Sequence, residues 1–599
     1  MTLPGRKTVV FIGVAAALGT MAAVWDWNWF RVPLESHLSE RSGRAVRIGD
    51  LHLSFAGFDP TVRLRQVHIP NAPWARTTAG QPFAVAGEVS FTFAWRSLIE
   101  RRPVVSRLVL VDAEVALERR ADGLRNWRLR NPGDRGPGKF KFLRLEAVHS
   151  KLRFVHEAAG IDVRTAANAL PAEVSVDNGA PLTTRIDFDG TFRDARFAGT
   201  AATSRVLTFL ETGEPFSLRA AATSGKTRAE ADGQVTDLFK LTAMDASLRL
   251  AGPSLADLHG LLPHAWPDTA AYQATAHLSK AEGLWTFTDL QARVGRSDLA
   301  GEARYNASAD RPFLDATLKS RATHVTDLWP KAAPSAAPAA PAKRSRLDLR
   351  PFDGSVAVDV HTLHVPGLPP LSQVRAKAHL DDGLLDLTPV QAQLAGGHAQ
   401  GLLVLDARQQ PPSARVELSW RNLRLEQLLP ALPDGGEATG PVSGQVKLTS
   451  RGATWRDLVA HAAGEGSAQL KGGRLSAALD AKLALNGGKL LRAKVGGAAD
   501  VPIHCARVDV MLRDGRGDVF PLLLDTAQTR IDGRGQLDLR GQRFDLLLTP
   551  APKQAALLAL RQSIQVTGSF DDARITLVKA EAIGSAGGCD TAPAVKASR

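Results

Sequence analysis

The sequence predicts a mainly β chain: an N-terminal transmembrane helix followed by an elongated, groove-like antiparallel β-sheet with a few short helices. Three observations predict it. One uncharged apolar stretch lies near the N-terminus, hairpin-turn dipeptides recur through the remainder, and between those turns apolar residues alternate with polar ones.

The anchor comes first. Residues 8–25 carry no charge and present Val9, Phe11, Ile12, Val14, Leu18, Met21, Val24 and Trp25, at the short end of the roughly 17–25 residues that cross a bilayer core. Arg6 and Lys7 precede the stretch, Asp26 follows it, and Trp25, Trp27 and Trp29 stand where an aromatic belt sits. The basic flank orients the N-terminus to the cytoplasm and the body to the exported side. The competing reading is a cleaved signal peptide, with Thr20-Met-Ala-Ala23 as a small-residue cleavage region; the tryptophans and the length favour a retained anchor. Directly after it, Phe30, Leu34 and Leu38 are apolar at helical spacing with charges between them, which predicts an amphipathic helix over 30–41.

The body is read as strands. Asp-Gly pairs begin at Asp122, Asp189, Asp232, Asp353, Asp382, Asp434, Asp514 and Asp532, and Asn-Gly pairs at Asn178 and Asn486. Asn and Asp tolerate the left-handed conformation and Gly adopts it freely, as tight hairpins require. Val109, Val111, Ala113, Val115 and Leu117 share one parity, with Asp112, Glu114 and Glu118 on the other. The same alternation sets Val356, Val358 and Val360 against Asp359 and His361, and Ala414, Val416, Leu418 and Trp420 against Arg415 and Glu417; Phe544, Leu546 and Leu548 repeat it. Period two gives one apolar and one wet face. Short helices are expected over 255–262, 455–463 and 554–561, and strands at intervals of about 8–12 residues elsewhere, on the order of 30 in all. A Pro/Ala tract over 332–342 reads as a linker. The expected organisation is therefore a stub and anchor (1–29), a β module (30–330), the linker region (331–346), a second β domain (347–584) and a featureless tail (585–599). No block of helices is available to cover so long an apolar face. A sheet folded over into a trough solves that problem; about 30 strands at ~4.8 Å each would extend on the order of 100–150 Å.

Bulk properties narrow the function. Hydrophobic residues make up 44% of the 599, enough for a large core, and the net charge of +13 is dispersed rather than clustered. With no aromatic-basic platform, nucleic acid is not the expected partner; a basic surface facing anionic headgroups or polyanions is. Aromatic residues are 6%, with two tyrosines, which counts against a carbohydrate-processing cleft. No nucleophile elbow, His-Glu-x-x-His, phosphate-binding loop or dinucleotide fingerprint occurs. His361 and His364 are the nearest approach to a histidine pair, without zinc-ligand company, and Asp187 and Asp189 flank Phe188 as hairpin-end carboxylates that could hold a cation. No cofactor and no catalysis are expected. Cys505 and Cys589, the two cysteines present, are expected to pair once exported.

Specific strings then carry a resemblance. After the anchor and helix come Arg47-Ile-Gly-Asp-Leu-His-Leu53, Val62-Arg-Leu-Arg-Gln-Val-His-Ile69, Val89-Ser-Phe-Thr-Phe93, Val109-Leu-Val-Asp-Ala-Glu-Val-Ala-Leu117 and Ala121-Asp-Gly-Leu-Arg-Asn-Trp127. The middle holds Ser297-Asp-Leu-Ala-Gly301 and Arg311-Pro312. The C-terminal half holds Pro502-Ile-His-Cys505, Thr529-Arg-Ile-Asp-Gly-Arg-Gly-Gln-Leu-Asp-Leu539 and Ile564-Gln-Val-Thr-Gly-Ser-Phe-Asp-Asp572. In this order they resemble the AsmA family of bacterial inner-membrane-anchored periplasmic proteins, itself similar to TamB-like and chorein-type bridge proteins whose long β-groove carries phospholipid between membranes. The resemblance implies a single-pass inner-membrane protein with its bulk in the periplasm. Its function would be to bind phospholipid acyl chains in the groove and support outer-membrane lipid transport. Val109, Val111, Val115, Leu117, Val356, Val358, Val360, Val416, Leu418, Phe544, Leu546 and Leu548 are the expected groove lining. The alternative is a non-catalytic scaffold for outer-membrane protein biogenesis, with outer-membrane assembly components as partners.

Overall fold

The computed structural model describes residues 26–56, 58–100, 104–128, 141–142, 145–170, 181–193, 195–204, 215–236, 243–260, 268–308, 311–328, 349–350, 353–429, 437–485, 499–553, 562–570 and 572–579. The chain is mainly β, with 32 strands among these residues and a few short helices. Among them no helix is long and apolar enough to cross a membrane. The anchor residues Val9 to Trp25, the 331–346 linker, the 554–561 helix, the tail and Cys589 lie outside the described residues, as do the turns expected at Asn178, Asp434 and Asn486.

The chain forms two compact units, Met1–Trp266 with Gln273–Glu282, and Pro267–Tyr272 with Gly283–Arg599. The division therefore does not fall at the expected 331–346 linker. The strands on either side of that tract, Phe313–His324 and Asp353–His364, are hydrogen-bonded neighbours inside the second unit.

In the first unit the sheet runs Asp50–Ala56, Asp59–Ile69, Ala84–Phe93, Val104–Arg119, Ser150–His156, Ile161–Ala169, Thr184–Phe192, Ala195–Thr203, Phe216–Ser224, Thr227–Thr236 and Ala243–Gly252. The helix expected over 30–41 is present as Arg31–Ser42, closed by Gly43 in the left-handed conformation. Leu34 and Leu38, with Trp27, pack on Val46, Ile48, Leu51, Leu64, Val67, Ala86, Val89 and Ala113. The second unit strings together sixteen strands: Leu284–Val294, Ser297–Asn306, Phe313–His324, Asp353–His364, Leu371–Asp381, Leu384–Leu394, Gly397–Asp406, Ser413–Arg424, Pro441–Arg451, Ala463–Lys471, Val501–Arg513, Arg516–Thr526, Thr529–Asp538, Arg543–Pro552, Gln562–Ser569 and Asp572–Lys579. Its helix Ala477–Leu483 places Leu479 and Leu483 on Leu470, Leu475 and Ile503. The 255–262 helix is a 3-10 segment, Leu255–Gly260, and the 455–463 helix is Trp455–Ala460, opened by a capping box between Thr454 and Asp457.

The sheets are not wholly antiparallel. Val104–Arg119 takes Leu145–Val148 and Ser150–His156 in parallel, and Phe313–His324 takes Asp353–His364 in parallel. Each parallel junction follows a long connection, as a crossover requires. The Asp-Gly pairs divide into two kinds. Asp382-Gly383 and Asp514-Gly515 have both residues at positive φ and close two-residue hairpins, and Asp122-Gly123 lies in the turn after Val104–Arg119. Asp189-Gly190, Asp232-Gly233 and Asp532-Gly533 instead sit inside strands, and Asp353-Gly354 opens one.

Candidate functional site

Residues directly opposite across paired strands share a sheet face, so register converts the alternation of single strands into rows. In the second unit one row passes through Leu290, Gly301, Leu318, Val358, Ala376 and Val390. It continues through Gly401, Leu418, Val446, Gly466 and Val510. It finishes through Val519, Gly535, Leu546, Val566 and Ile575. All sixteen strands contribute, and no member is polar or charged. A second row on the same face carries Val356, Ala378, Leu387, Leu403, Val416 and Leu448 and reaches Phe544. A third carries Ala392, Ala399, Trp420, Gly444, Ala468 and Val508, then Leu548 and Ile564.

Among the described residues this face is not closed over. In the first row only Val519 is buried, Leu418 is 41% and Ile575 71% exposed, and the remaining members are half-buried. The opposite face carries the charge, much of it neutralised two residues along the same strand: Arg415 with Glu417, Arg507 with Asp509 at 2.7 Å, and Arg530 with Asp532 at 2.9 Å. Arg375 reaches Asp359 across strands at 3.5 Å. Asp298 accepts from Ala322 N, Arg321 and Ser320; burial raises its pKa, but these donors outweigh burial and bring it down to about 2. Asp406 is brought to about 2, chiefly by the Arg408 guanidinium.

The structure thus puts Val356, Val358, Val360, Val416, Leu418, Phe544, Leu546 and Leu548 on one face. In the first unit, described by itself, Val115 and Leu117 lie on one face, where Val115, Leu152, Thr165, Phe188, Gly199 and Ala222 form an uncharged row. Val109 and Val111 do not join them. Asp112 adopts φ +49°, and Gln66, two strands away, adopts φ +50°, each standing opposite Gly87 in register. A left-handed residue inside a strand turns the following side chains to the other side. Leu108 and Leu110 therefore share the packed cluster with Ala113, whereas Val109 stands opposite Ser90 and Glu146. Val111 stands opposite Glu88, which is ion-paired to Arg63 at 2.9 Å and Arg65 at 3.4 Å. Sequence parity was blind to that switch. It also passed over the glycines and alanines of the rows; applying parity to small residues as well as large ones would have found them.

Two further features flank this face. Glu118, fully buried, accepts from the backbone N–H groups of Arg76, Thr77 and Thr78 and from Thr78 Oγ1, at 2.7–3.3 Å. Burial pushes its pKa up and the four donors pull it below the usual carboxylate range. Asn126, of the Asp-Gly-Leu-Arg-Asn-Trp string, is equally buried; its Oδ1 accepts from Glu118 N, and its Nδ2 donates to Ala116 O and Asn71 Oδ1. On the charged side of the first unit lies a cavity of about 780 Å³, walled by Glu114, Lys151, Arg153, Arg164, Asp187 and Asp189 over a floor of alanines. Asp187 is paired with Arg185 at 3.2 Å, and Asp189 faces Arg164 across the strands. His364 does not meet His361; its ring stacks on His324 at 4.2 Å. Among the described residues no group of three or more His, Cys, Asp or Glu side chains could hold a metal ion.

The AsmA family model matches residues 182–519, more than half of the chain. The AsmA family protein YhjG of Escherichia coli (strain K12) is 24% identical over 409 residues, covering 64% of this chain and 60% of that protein. The chain thus spans less than two thirds of the length of that relative. An ordered set of β strings, a long sheet with one uncharged face and the match across 182–519 lead to one assignment: the chain belongs to the AsmA family.

Proposed function

We propose that the uncharged face holds phospholipid acyl chains. In this reading the protein is anchored in the inner membrane with its body in the periplasm, and it supports lipid transport to the outer membrane. Membership of the AsmA family, which is not a known enzyme family, favours an envelope role of this kind. The observation that carries the reading is the continuous row from Leu290 to Ile575, half-open and free of charge through sixteen registered strands. Fully burying a methylene yields about 0.8 kcal/mol, so ten methylenes on a half-open face would gain on the order of 4 kcal/mol. That is enough to hold a chain and weak enough to let it slide. A protein core would not leave such a row half-exposed, and a charge placed in it would meet either acyl chains or packed side chains, at a high desolvation cost.

Photo-crosslinking side chains at Val358, Leu418 and Leu546 should capture phospholipid in cells, while those at Asp359, Glu417 and Asp545 should not. Equal capture at both parities, or none at either with the protein folded, would reject the acyl-chain face. Co-purification of partner proteins without lipid would support the scaffold reading instead.

A further inference from the structure

On the charged face of the second unit, opposite the proposed acyl-chain face, a cavity of about 870 Å³ lies over the last five strands. Arg513, Arg516, Arg543 and Arg574 line it, with Thr567, Ser569 and Gln536 as neutral hydrogen-bonding groups. Among the described residues none of these four guanidiniums is hydrogen-bonded or ion-paired, although Arg507, Arg530 and Arg540, in or beside the same strands, each hold a carboxylate at 2.5–2.9 Å. Arg513 and Arg516 stand directly opposite one another in register, and Arg516 and Arg543 flank Asp538 in the same row. Like charges directly opposite across a strand pair are destabilising, so this arrangement is one that a bound anion would relieve. Two of the carboxylates present are occupied: Asp538 accepts from the N–H groups of Arg540 and Gly541, and Asp545 accepts from Gln565 Nε2. With Asp518 and Asp572 the cavity holds four carboxylates for four arginines, but among the described residues none of them forms an ion pair with these guanidiniums; Arg516 acts on Asp538 only through its charge.

We propose that this cavity binds a phosphate-bearing ligand, with Arg513, Arg516 and Arg543 as its guanidinium donors. A planar fork of N–H groups matches two phosphate oxygens at once, and three such forks along one row suit a ligand with more than one anionic group. The ligand chemistry is shared by a soluble organophosphate and a phospholipid headgroup. Because the cavity and the uncharged rows occupy opposite faces, the outcome here is independent of the acyl-chain reading.

The test titrates the full chain in neutral detergent with inorganic pyrophosphate by calorimetry, and in parallel measures binding to phosphatidylglycerol and phosphatidylcholine vesicles. Saturable pyrophosphate binding is expected, weakened at least tenfold by Arg516→Ala with Arg543→Ala and several-fold by the corresponding lysine pair, with Arg415→Ala unaffected. If the alanine pair also reduces binding to phosphatidylglycerol vesicles, the source is a lipid headgroup; if only the pyrophosphate arm moves, it is a soluble phosphate. Absence of saturable binding, full binding by the alanine pair, or a lysine pair equal to wild type would overturn the proposal. Among the described residues these guanidiniums make no hydrogen bond or ion pair, so an unchanged thermal midpoint of the variants keeps the comparison valid.

Discussion

Glu118 and Asn126 act as one unit at the residue scale. The carboxylate holds three successive backbone N–H groups and one hydroxyl of the Arg76-Thr77-Thr78 segment, and the amide ties the end of the same strand to Asn71. Removing the carboxylate leaves buried donors without a partner, at about 1–3 kcal/mol for such a group. Glu118→Ala should therefore destabilise the first unit by about 3 kcal/mol or more. Asn126→Ala should come close to it, and neither should change pyrophosphate binding in the second unit; thermal unfolding followed by circular dichroism checks the size. Asp298 and Asp406 set a pH dependence. Both are held at about 2, below the ordinary value of 3.8. A carboxylate with a depressed folded pKa contributes its full stability above the unfolded pKa and loses it as the pH falls toward the folded one. The midpoint of the second unit should accordingly drop between pH 4 and pH 2, and Asp298→Asn, less stable at neutral pH, should flatten that drop. An unchanged profile in the variant would remove Asp298 from the account.

Individual elements were largely legible in the sequence, because period two and hairpin chemistry are local. About 30 strands were expected and 32 are present among the described residues, and the helix expected over 30–41 differs from expectation by one residue at each end. What was not legible depends on neighbours. Asp112 in its left-handed conformation reverses parity only because the strand continues unbroken past it, and nothing in the local string Val111-Asp112-Ala113 announces this. The four interior or strand-opening Asp-Gly pairs depart from the expected turns for a similar reason. Gly233 is required by close approach, since a Cβ there would lie 2.1 Å from Asp245 O, whereas Gly225, at φ +58° with open space around it, is required by its turn conformation. Gly466 needs neither: its nearest neighbour would be Val446 Cγ2 at 3.3 Å. Alanine at the three positions should therefore give three different results. Gly233→Ala should cost about 2–3 kcal/mol by overpacking and Gly225→Ala about 1 kcal/mol by backbone strain. Gly466→Ala should be neutral or stabilise by about 0.5 kcal/mol through the unfolded chain. Denaturant midpoints in that order check the assignment, and a destabilised Gly466→Ala would mean that the uncharged row is more tightly filled than its half-burial indicates.

Over the whole molecule, the disulfide connects fold and compartment. Cys505 lies in Val501–Arg513, one of the strands that carry the uncharged rows, and it is disulfide-bonded. Cys589 is the other cysteine of the sequence. Disulfides persist where the surroundings are oxidising and are rare where thiols are kept reduced, so the redox state of these two sulfurs reports which side of the membrane the body occupies. The proposed exported body rests on independent grounds, the basic Arg6/Lys7 flank and the uncharged 8–25 stretch of the sequence. The two arguments meet in one measurement. Alkylation of unreduced, denatured full-length protein should find no free thiol, and the same chain lacking residues 1–25, retained in the cytoplasm, should show two. Closing a loop of this length contributes up to ~4–5 kcal/mol in the chain-entropy account, so Cys505→Ser should lower the midpoint of the exported protein and leave that of the cytoplasmic form unchanged. Two free thiols in the full-length protein would reject the bridge. One pattern would reject the exported body itself: full-length protein that is reduced in wild-type cells but oxidises when the cytoplasm is made oxidising.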